Sequence, residues 1–262
     1  MTDQLLVETA GAVGWITFNN PAKHNALSVA MWRALPQALD ELEADPAVRV
    51  IVLRGAGEKA FVSGADISEF ATARASEEAV AAYDALAEGA THRLKGADRP
   101  TIAMIRGYCM GGGLGLAIAC DMRIAATDAT FAIPAARLGV GYRVGSLKLL
   151  TDLVGPAFAK EILITARRFD ASEAERIGLV NRTVPTDTLA EEVERYCAAI
   201  AANAPLSMRA SKHMIGELAR AAGDGVDAAL CEDLVTACFT SADYTEGRTA
   251  FMEKRRPKFT GR

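Results

Sequence analysis

The chain has 262 residues, of which half are hydrophobic, 24% are charged and 6% are aromatic. This length is enough to bury a full-sized core, as one large domain or as a domain with an appendage. The formal net charge of −4 and the pI of about 5.5 argue against nucleic-acid binding, since the one basic cluster, at residues 254–258, is short and terminal.

Cysteine spacing and the apolar segments indicate the compartment. The five cysteines are scattered and form no C-x-x-C pair, so we expect reduced thiols, no disulfide framework and no metal site. The N-terminus lacks the basic and apolar regions of a signal peptide. The most apolar stretch, residues 101–120, contains Arg106 and five glycines, which fit strand, loop and helix better than a membrane span. We therefore expect a cytoplasmic protein that does not bind membranes.

Short β-rich runs alternate with helical patterns in chain order. The predicted strands are 14–18, 48–53, 101–105, 122–126 and 179–184. The predicted helices are 28–44, with Ser28 as N-cap and a weak point at Pro36, then 79–94, 113–120, 146–153, 156–165 and 172–177, followed by an almost wholly helical pattern from Leu189. This alternation predicts an α/β protein with parallel pairing, and periodicity alone favours a doubly wound nucleotide-binding fold. The shift to an all-helical pattern places an internal boundary near residues 185–205.

A glycine-rich segment, GYCMGGGLG at residues 107–115, lies between a predicted strand and a predicted helix. Glycines allow a ligand to approach the backbone, and the first N–H groups of the following helix point at that ligand. The segment could cradle a phosphate, stabilise an oxyanion or permit close packing. It lacks the Lys-Ser/Thr of a P-loop and the G-x-G-x-x-G spacing of a dinucleotide site.

A second small-residue turn, Ser63-Gly64-Ala65-Asp66, lies about fifty residues upstream and also enters a helical region. Two such turns could each direct one peptide N–H at a common point. A thioester carbonyl at that point would be polarised, and the enolate formed from it would be stabilised.

The combination resembles the crotonase (enoyl-CoA hydratase/isomerase) family. The matching segments, in order and spacing, are NNPAKHNALS, EKAFVSGADISEF, RPTIAMIRGYCMGGGLGLAIACD, LGVGY, RRFDASEAERIGLVNRTVP and DYTEGRTAFMEKRRPKF, which together span roughly residues 5–259. The resemblance implies an α/β spiral of repeated β-β-α turns over residues 1–200, carrying the CoA and oxyanion sites. It also implies a helical oligomerisation region over residues 201–262, forming homotrimers or dimers of trimers.

The resemblance also implies site residues. The N–H groups of Ala65 and Gly112 would form the oxyanion hole for an acyl-CoA thioester, with no cofactor beyond the coenzyme A of the substrate. Residues expected to contact coenzyme A are Ala22, Lys23, His24, Ala26, Leu27, Ser63, Ala65, Asp66 and Ile67, with Phe251 and Lys254 approaching its phosphates from the same or a neighbouring subunit.

The sequence departs from the family where its hydratases carry two catalytic glutamates. Gly115 occupies the first of these positions and Ala135 the second. Hydration needs a base for the water and an acid for the α-carbon, so the usual acid–base pair is missing. Isomerases of the family rely on the second glutamate, so its absence weakens an assignment as an isomerase too.

Tyr142 and Arg143, in LGVGYR, occupy positions where several family branches place catalytic groups. The segment LGVGYRVGS and the C-terminal tail partly resemble methylmalonyl-CoA decarboxylases of the family, in which a tyrosine matches Tyr142. Decarboxylation of a malonyl-type thioester yields the enolate directly without a base, and Arg143 or Arg137 could hold the departing carboxylate through paired N–H groups.

Other polar residues have more ordinary interpretations. We expect Asp66 to cap a helix, Asp121 and His213 to be structural, His92 to pack or lie on the surface, and His24 to be a loop residue. Three hypotheses follow: an acyl-CoA lyase working by enolate stabilisation, with decarboxylation as its most concrete form; an enoyl-CoA hydratase in which another carboxylate, such as Glu69, substitutes; and an acyl-CoA-binding homologue without turnover.

Overall fold

The computed structural model describes residues 2–69, 76–224 and 227–262. Ten strands form two sheets. The larger sheet has the order β1 (Leu5–Ala10), β2 (Val13–Phe18), β3 (Val50–Gly55), β5 (Thr101–Ile105), β7 (Met122–Ala126) and β10 (Arg182–Val184). The smaller has the order β4 (Ala60–Val62), β6 (Tyr108–Met110), β8 (Thr130–Ala132) and β9 (Phe169–Asp170). Pairing is parallel except at β1–β2 and β8–β9.

From β3 to β8, successive strands alternate between the two sheets. The helices between the strands are α1 (Val29–Ala44), α2 (Glu77–Lys95), α3 (Gly112–Ala119), α4 (Ala135–Leu138), α5 (Val144–Thr165) and α6 (Ala171–Arg176). The chain runs β3, β4, α2, then β5, β6, α3, then β7, β8, α4. These are the β-β-α turns that the resemblance implies, and the doubly wound arrangement suggested by periodicity alone is wrong. The difference arises because three-residue strands in the connections pair with one another into a second sheet.

The continuous apolar run of β3 reflects burial on both faces of the larger sheet. Val50 and Val52 lie in one core cluster with Leu189 and Val193 of helix α7 (Leu189–Ala201). Leu53 faces the main core on the opposite side. A parallel strand covered on both faces has no polar face, which explains why its sequence does not alternate.

The predicted helices begin at or near the residues where the structure's helices begin, but the weak point predicted at Pro36 does not break α1. Ser28 caps α1, where its Oγ accepts the N–H of Met31 at 3.2 Å, and the helix continues through Pro36. The two helices predicted at 146–153 and 156–165 are one interrupted element, α5, with a non-helical Gly155 at φ 73°. The helical region predicted after Asp66 begins as a single 3-10 turn, Ile67–Glu69, and its continuation lies outside the described residues.

Three further helices follow α7, namely α8 (Pro205–Asp224), α9 (Ala228–Phe239) and α10 (Ala242–Met252). The side chain of Asp243 accepts the N–H groups of Thr260 and Gly261 at 2.7 and 2.8 Å, which ties the tail to α10. The assignment of residues 201–262 to an oligomerisation region stays a prediction. None of the described helices is both long and apolar enough to span a bilayer.

Candidate functional site

The site lies where neighbouring parallel strands of the smaller sheet end. β4 leads into Ser63–Asp66, and its parallel neighbour β6 leads into Gly111 and α3. β8, which is parallel to β6, leads into Ala135. Because parallel strands present their carboxyl ends at one edge, the two predicted turns and the Ala135 position converge at that edge of the sheet.

Each turn directs one peptide N–H away from the sheet. In the bridge between Leu27 and Ala65, the Leu27 N–H donates to Gly64 and the Asp66 N–H donates to Leu27, at 2.7 and 2.9 Å. The N–H of Ala65 therefore points the other way. Gly112 is the first residue of α3, where a helical N–H has no partner within the helix. Neither N–H meets an acceptor among the residues that the structure describes.

Glycines hold the two turns close together. Gly64 precedes one donor with φ 115°, and Gly111 precedes the other with φ 50°, conformations that L side chains rarely adopt. A Cβ on Gly111 would lie only 3.8 Å from the Cα of Gly64. A Cβ on Gly113 would lie 2.2 Å from the carbonyl oxygen of Val62, so only glycine lets α3 sit against β4.

A cavity of about 150 Å³ opens in front of these donors. Ala65 and Gly112 line it together with Tyr142 and Arg143, so the four residues predicted as catalytic share one space. Gly115 also lines this cavity, and a Cβ built on it would meet nothing within 4 Å. The space that a glutamate would fill in a hydratase of the family is therefore open.

The wall opposite α3 carries carboxylates that sequence reasoning missed. Asp84, Glu88 and Thr91 of α2 all line the cavity. Their spacing marks one face of a helix, but a charged helical face is ordinarily solvated. The sequence pattern therefore gave no sign that this face borders a cavity.

Arg143 crosses the cavity to α2. Its Nη2 and Nε both donate to Oδ2 of Asp84, at 2.7 and 3.0 Å. These hydrogen bonds raise the pKa of the guanidinium above its ordinary value. The ion pair joins the loop before α5 to the middle of α2. The cavity lining then contains two carboxylates, Asp84 and Glu88, and one guanidinium, that of Arg143.

Aromatic residues complete the wall. The indole N–H of Trp32 donates to the hydroxyl of Tyr83 at 3.0 Å in a buried hydrogen bond, and both residues line the cavity. Tyr142 is half-buried and packs against the main core while also lining the cavity. Both interpretations of Tyr142, packed residue and substrate contact, therefore fit its position.

The two segments predicted to bind coenzyme A lie against each other. Besides the bridge of Leu27 with Ala65, the Ser63 N–H donates to the carbonyl of His24 at 3.1 Å. Ala22, Lys23, His24 and Ile67 are exposed, whereas Ala26 and Leu27 are buried. The exposed residues form a surface strip that continues from Ala65, while Ala26 and Leu27 can offer a ligand little beyond their backbone.

Asp66 fastens this strip. Its Oδ2 accepts Lys23 Nζ at 2.7 Å, and its Oδ1 accepts both the N–H and the hydroxyl of Ser68. Burial raises the pKa of the Asp66 carboxyl, but the hydrogen bonds from Lys23 and Ser68 outweigh it and hold the pKa below its ordinary value. Asp66 is thus the turn-capping residue that the sequence predicted.

Several candidate residues lie away from the cavity. Glu69 accepts the N–H of Val29 at 2.8 Å and so caps α1, and it is not part of the cavity lining. Glu69 is therefore wrong as the substituting acid–base group. Ala135 is buried at the start of α4, and Arg137 is exposed outside the lining.

The three histidines also lie outside the cavity lining. His24 makes an edge-to-face contact with Tyr108, with ring centroids 5.7 Å apart. His213 Nε2 lies 2.9 Å from a carboxylate oxygen of Asp98, in a structural contact. Asp121 accepts the N–H of Thr101 at 2.7 Å, which is likewise structural.

Phe251 and Lys254 lie at and just beyond the end of α10, where Phe251 is 86% exposed. Phe251 lines a separate, largely apolar groove with Phe239 and Phe259. Neither residue lines the cavity of Ala65 and Gly112 within one chain. Among the described residues, no group of three His, Cys, Asp or Glu side chains is arranged to hold a metal ion.

Comparison with known proteins defines the class to which this site belongs. Residues 8–262 match the family model described as enoyl-CoA hydratase/isomerase. The chain therefore belongs to the enoyl-CoA hydratase/isomerase (crotonase) family, whose members process acyl-CoA thioesters.

Particular relatives are similar over their whole length. The short-chain-enoyl-CoA hydratase of Clostridium acetobutylicum is 35% identical over 256 residues, covering 97% of this chain and 96% of the relative. The crotonyl-CoA hydratase of Syntrophomonas wolfei is 35% identical over 263 residues, covering 98% of each. The crystal structure of an enoyl-CoA hydratase/carnithine racemase from Magnetospirillum magneticum superposes with a TM-score of 0.95 at 39% identity, over 100% of this chain and 97% of that one.

Proposed function

We propose that the protein is an acyl-CoA lyase that binds a thioester carbonyl between the N–H groups of Ala65 and Gly112 and stabilises the enolate formed from it. The observation that carries this proposal is that one cavity is lined by two residues whose peptide N–H groups have no acceptor among the described residues. Each such donor typically contributes a factor of about 10²–10³ in rate, because charge develops on the oxygen only during the reaction. Coenzyme A enters as part of the substrate, with no further cofactor.

Hydration of a 2-enoyl-CoA is the reaction that the cavity supports best. Both glutamate positions of the family's hydratases lack a carboxylate, but α2 supplies Asp84 and Glu88 to the same space. Relatives described as hydratases over the full length of the chain support the same reaction. The water must lose one proton and the α-carbon must gain one, so a carboxylate beside the reacting carbons can serve both steps in turn.

Decarboxylation of a malonyl-type thioester is the second candidate. The absence of acid–base glutamates at Gly115 and Ala135 favours it, since loss of CO₂ leaves the electron pair in the enolate without a base. Arg143 is the guanidinium that would hold the departing carboxylate. Asp84 already accepts hydrogen bonds from Nε and Nη2 of this guanidinium, however, and Glu88 adds a second negative charge to the lining. A substrate carboxylate that binds this paired edge of Arg143 would have to displace Asp84.

The binding mode of coenzyme A and the assembly follow from the family as proposals. The pantetheine and adenine would lie along residues 22–27 and 63–67, on the strip fastened by Asp66. Phe251 and Lys254 would reach the phosphates from a neighbouring subunit of a homotrimer or a dimer of trimers, since they lie away from this chain's own cavity. The expected location is the cytoplasm.

A substrate panel tests the proposal. We expect crotonyl-CoA to be hydrated and malonyl-CoA or methylmalonyl-CoA to release no CO₂. CO₂ release as the main turnover would replace hydration by the second candidate. If the thioesters bind but none turns over, the protein is an acyl-CoA-binding homologue and the lyase proposal fails.

One variant separates the two lyase reactions. Asp84→Asn frees Arg143, so a decarboxylase should gain in kcat/KM for malonyl-CoA, whereas a hydratase should not acquire that activity. Asp152→Asn is the matched control, because it breaks the ion pair with Lys148 on α5 outside the cavity.

A further inference from the structure

The cavity lining contains few groups that can transfer a proton. Among the residues that the structure describes, its ionisable side chains are Tyr83, Asp84, Glu88, Tyr142 and Arg143. The Tyr83 hydroxyl is engaged by the Trp32 indole, and Oδ2 of Asp84 receives both hydrogen bonds from Arg143. Asp84 Oδ2 is therefore already engaged by charged hydrogen bonds within the protein, whereas a base for water must be able to bind that water.

Glu88 differs from Asp84 in this respect. It lies one helical turn further along α2, on the same face, and lines the same cavity. No hydrogen bond or ion pair joins its carboxylate to another described side chain, and its resolved electrostatic interaction is with Arg143. As far as the described residues are concerned, both of its oxygens are therefore available to water or substrate.

We propose that Glu88 is the acid–base carboxylate of this site, a role that rests on the proposed enolate chemistry. In hydration, Glu88 takes a proton from water as the water oxygen bonds to the β-carbon. The π electron pair moves into the thioester enolate held by Ala65 and Gly112. Glu88 then returns the proton to the α-carbon, so one carboxylate completes the addition. The Asp84–Arg143 ion pair holds α2 in place at the cavity and so positions Glu88.

The inference can be tested without relying on hydration alone. A saturated thioester, butyryl-CoA in D₂O, reports the half-reaction: Glu88 removes an α-proton, the enolate forms, and deuterium returns to the α-carbon after exchange with solvent. Mass spectrometry follows the incorporated deuterium, and absorbance at the enoyl band follows crotonyl-CoA hydration in parallel.

Glu88→Gln keeps the size of the side chain and removes the base. We expect kcat for hydration and the rate of deuterium incorporation both to fall by about 10²–10⁴, with little change in KM. Glu77→Gln is the matched control: it changes an exposed glutamate on nearly the same face of α2, about 16 Å away at ~1.5 Å per residue. The control should stay within about two-fold of the parent in both assays, since ordinary surface changes have small effects.

The outcomes separate the two proposals. An active parent protein whose Glu88→Gln variant retains both rates overturns the role of Glu88 and leaves the lyase proposal standing. A parent protein that binds butyryl-CoA but neither hydrates crotonyl-CoA nor exchanges the α-proton overturns the enolate chemistry itself. Partial return of exchange when formate is added to Glu88→Ala supports Glu88 independently of the glutamine variant.

Discussion

Replacing Gly112 by proline removes one of the two peptide N–H groups that we propose as oxyanion donors. Gly112 is the first residue of α3, the helical position at which proline is best tolerated because its missing N–H has no partner within the helix. The N–H of Gly112 has no acceptor among the described residues, so the folded state loses no internal hydrogen bond. The variant therefore removes the N–H and places the proline Cδ where that N–H pointed.

The expected loss follows from the role of that donor. Removing one of two oxyanion donors typically costs about 10²–10³ in kcat, which corresponds to about 2.7–4 kcal/mol of transition-state stabilisation. The binding of the ground-state thioester should change less, because its carbonyl carries little charge. Crotonyl-CoA hydration measured over a range of substrate concentrations gives kcat and KM separately.

Gly112→Ala is the matched control because it adds a Cβ but keeps the N–H. That Cβ would lie 3.3 Å from Cδ1 of Leu27 and 3.5 Å from Cζ2 of Trp32, so a small adjustment of Leu27 accommodates it. The alanine variant therefore reports the steric effect of the Cβ with the N–H retained. If the proline and alanine variants have equal kcat, with melting temperatures close to the parent, the N–H of Gly112 is not an oxyanion donor and the reasoning fails.

Three further predictions concern the same turns. Gly113→Ala should destabilise the protein by about 1–3 kcal/mol, because its Cβ would be overpacked against Val62. Gly115→Ala places its Cβ in open space, so its effect on stability should be neutral or stabilising by a few tenths of a kcal/mol. Melting temperatures test both variants. Gly115→Glu should raise the rate of crotonyl-CoA hydration by about ten-fold or more, because it adds a carboxylate in the open space beside the donors. Asp66→Asn should lower the free energy of unfolding at pH 7 by about 1.5 kcal/mol, since it removes a charged hydrogen bond to the half-exposed Lys23.

The Asp66 prediction has a defined pH dependence. In the folded protein the pKa of the Asp66 carboxyl lies below its ordinary value of 3.8. The stabilisation by Asp66 is therefore present above pH 3.8 and is lost as the pH falls through the lowered pKa. Urea unfolding at pH 7 and near pH 3 should therefore give a smaller difference between parent and variant at the lower pH. A difference that stays constant with pH would assign the effect to packing. For Gly115→Glu, unchanged hydration with normal thioester binding would argue against an acid–base role at that position.

The family and the two turns that carry the proposed donors could be predicted from the sequence because their signals are local. Ser63–Asp66 and the glycines after Met110 each specify a turn that exposes one N–H, and the spacing between them fits two neighbouring β-β-α turns. The sequence also showed that Gly115 and Ala135 stand where hydratases of the family have glutamates. Buried strands such as β5 could also be predicted, since their apolar runs are continuous.

The tertiary structure alone decided which polar groups face the donors. Asp84 and Arg143 are 59 residues apart and meet only because α2 packs across the end of α3, so no local pattern announces their ion pair. The second sheet was missed for a similar reason: three-residue strands such as β4 and β6 carry too little periodicity to be recognised and exist through pairing with each other. Glu69 was named as a carboxylate that could substitute for the missing glutamates, whereas its side chain caps α1. Local turns fix where a thioester carbonyl can be held, and long-range packing fixes which carboxylate stands beside it.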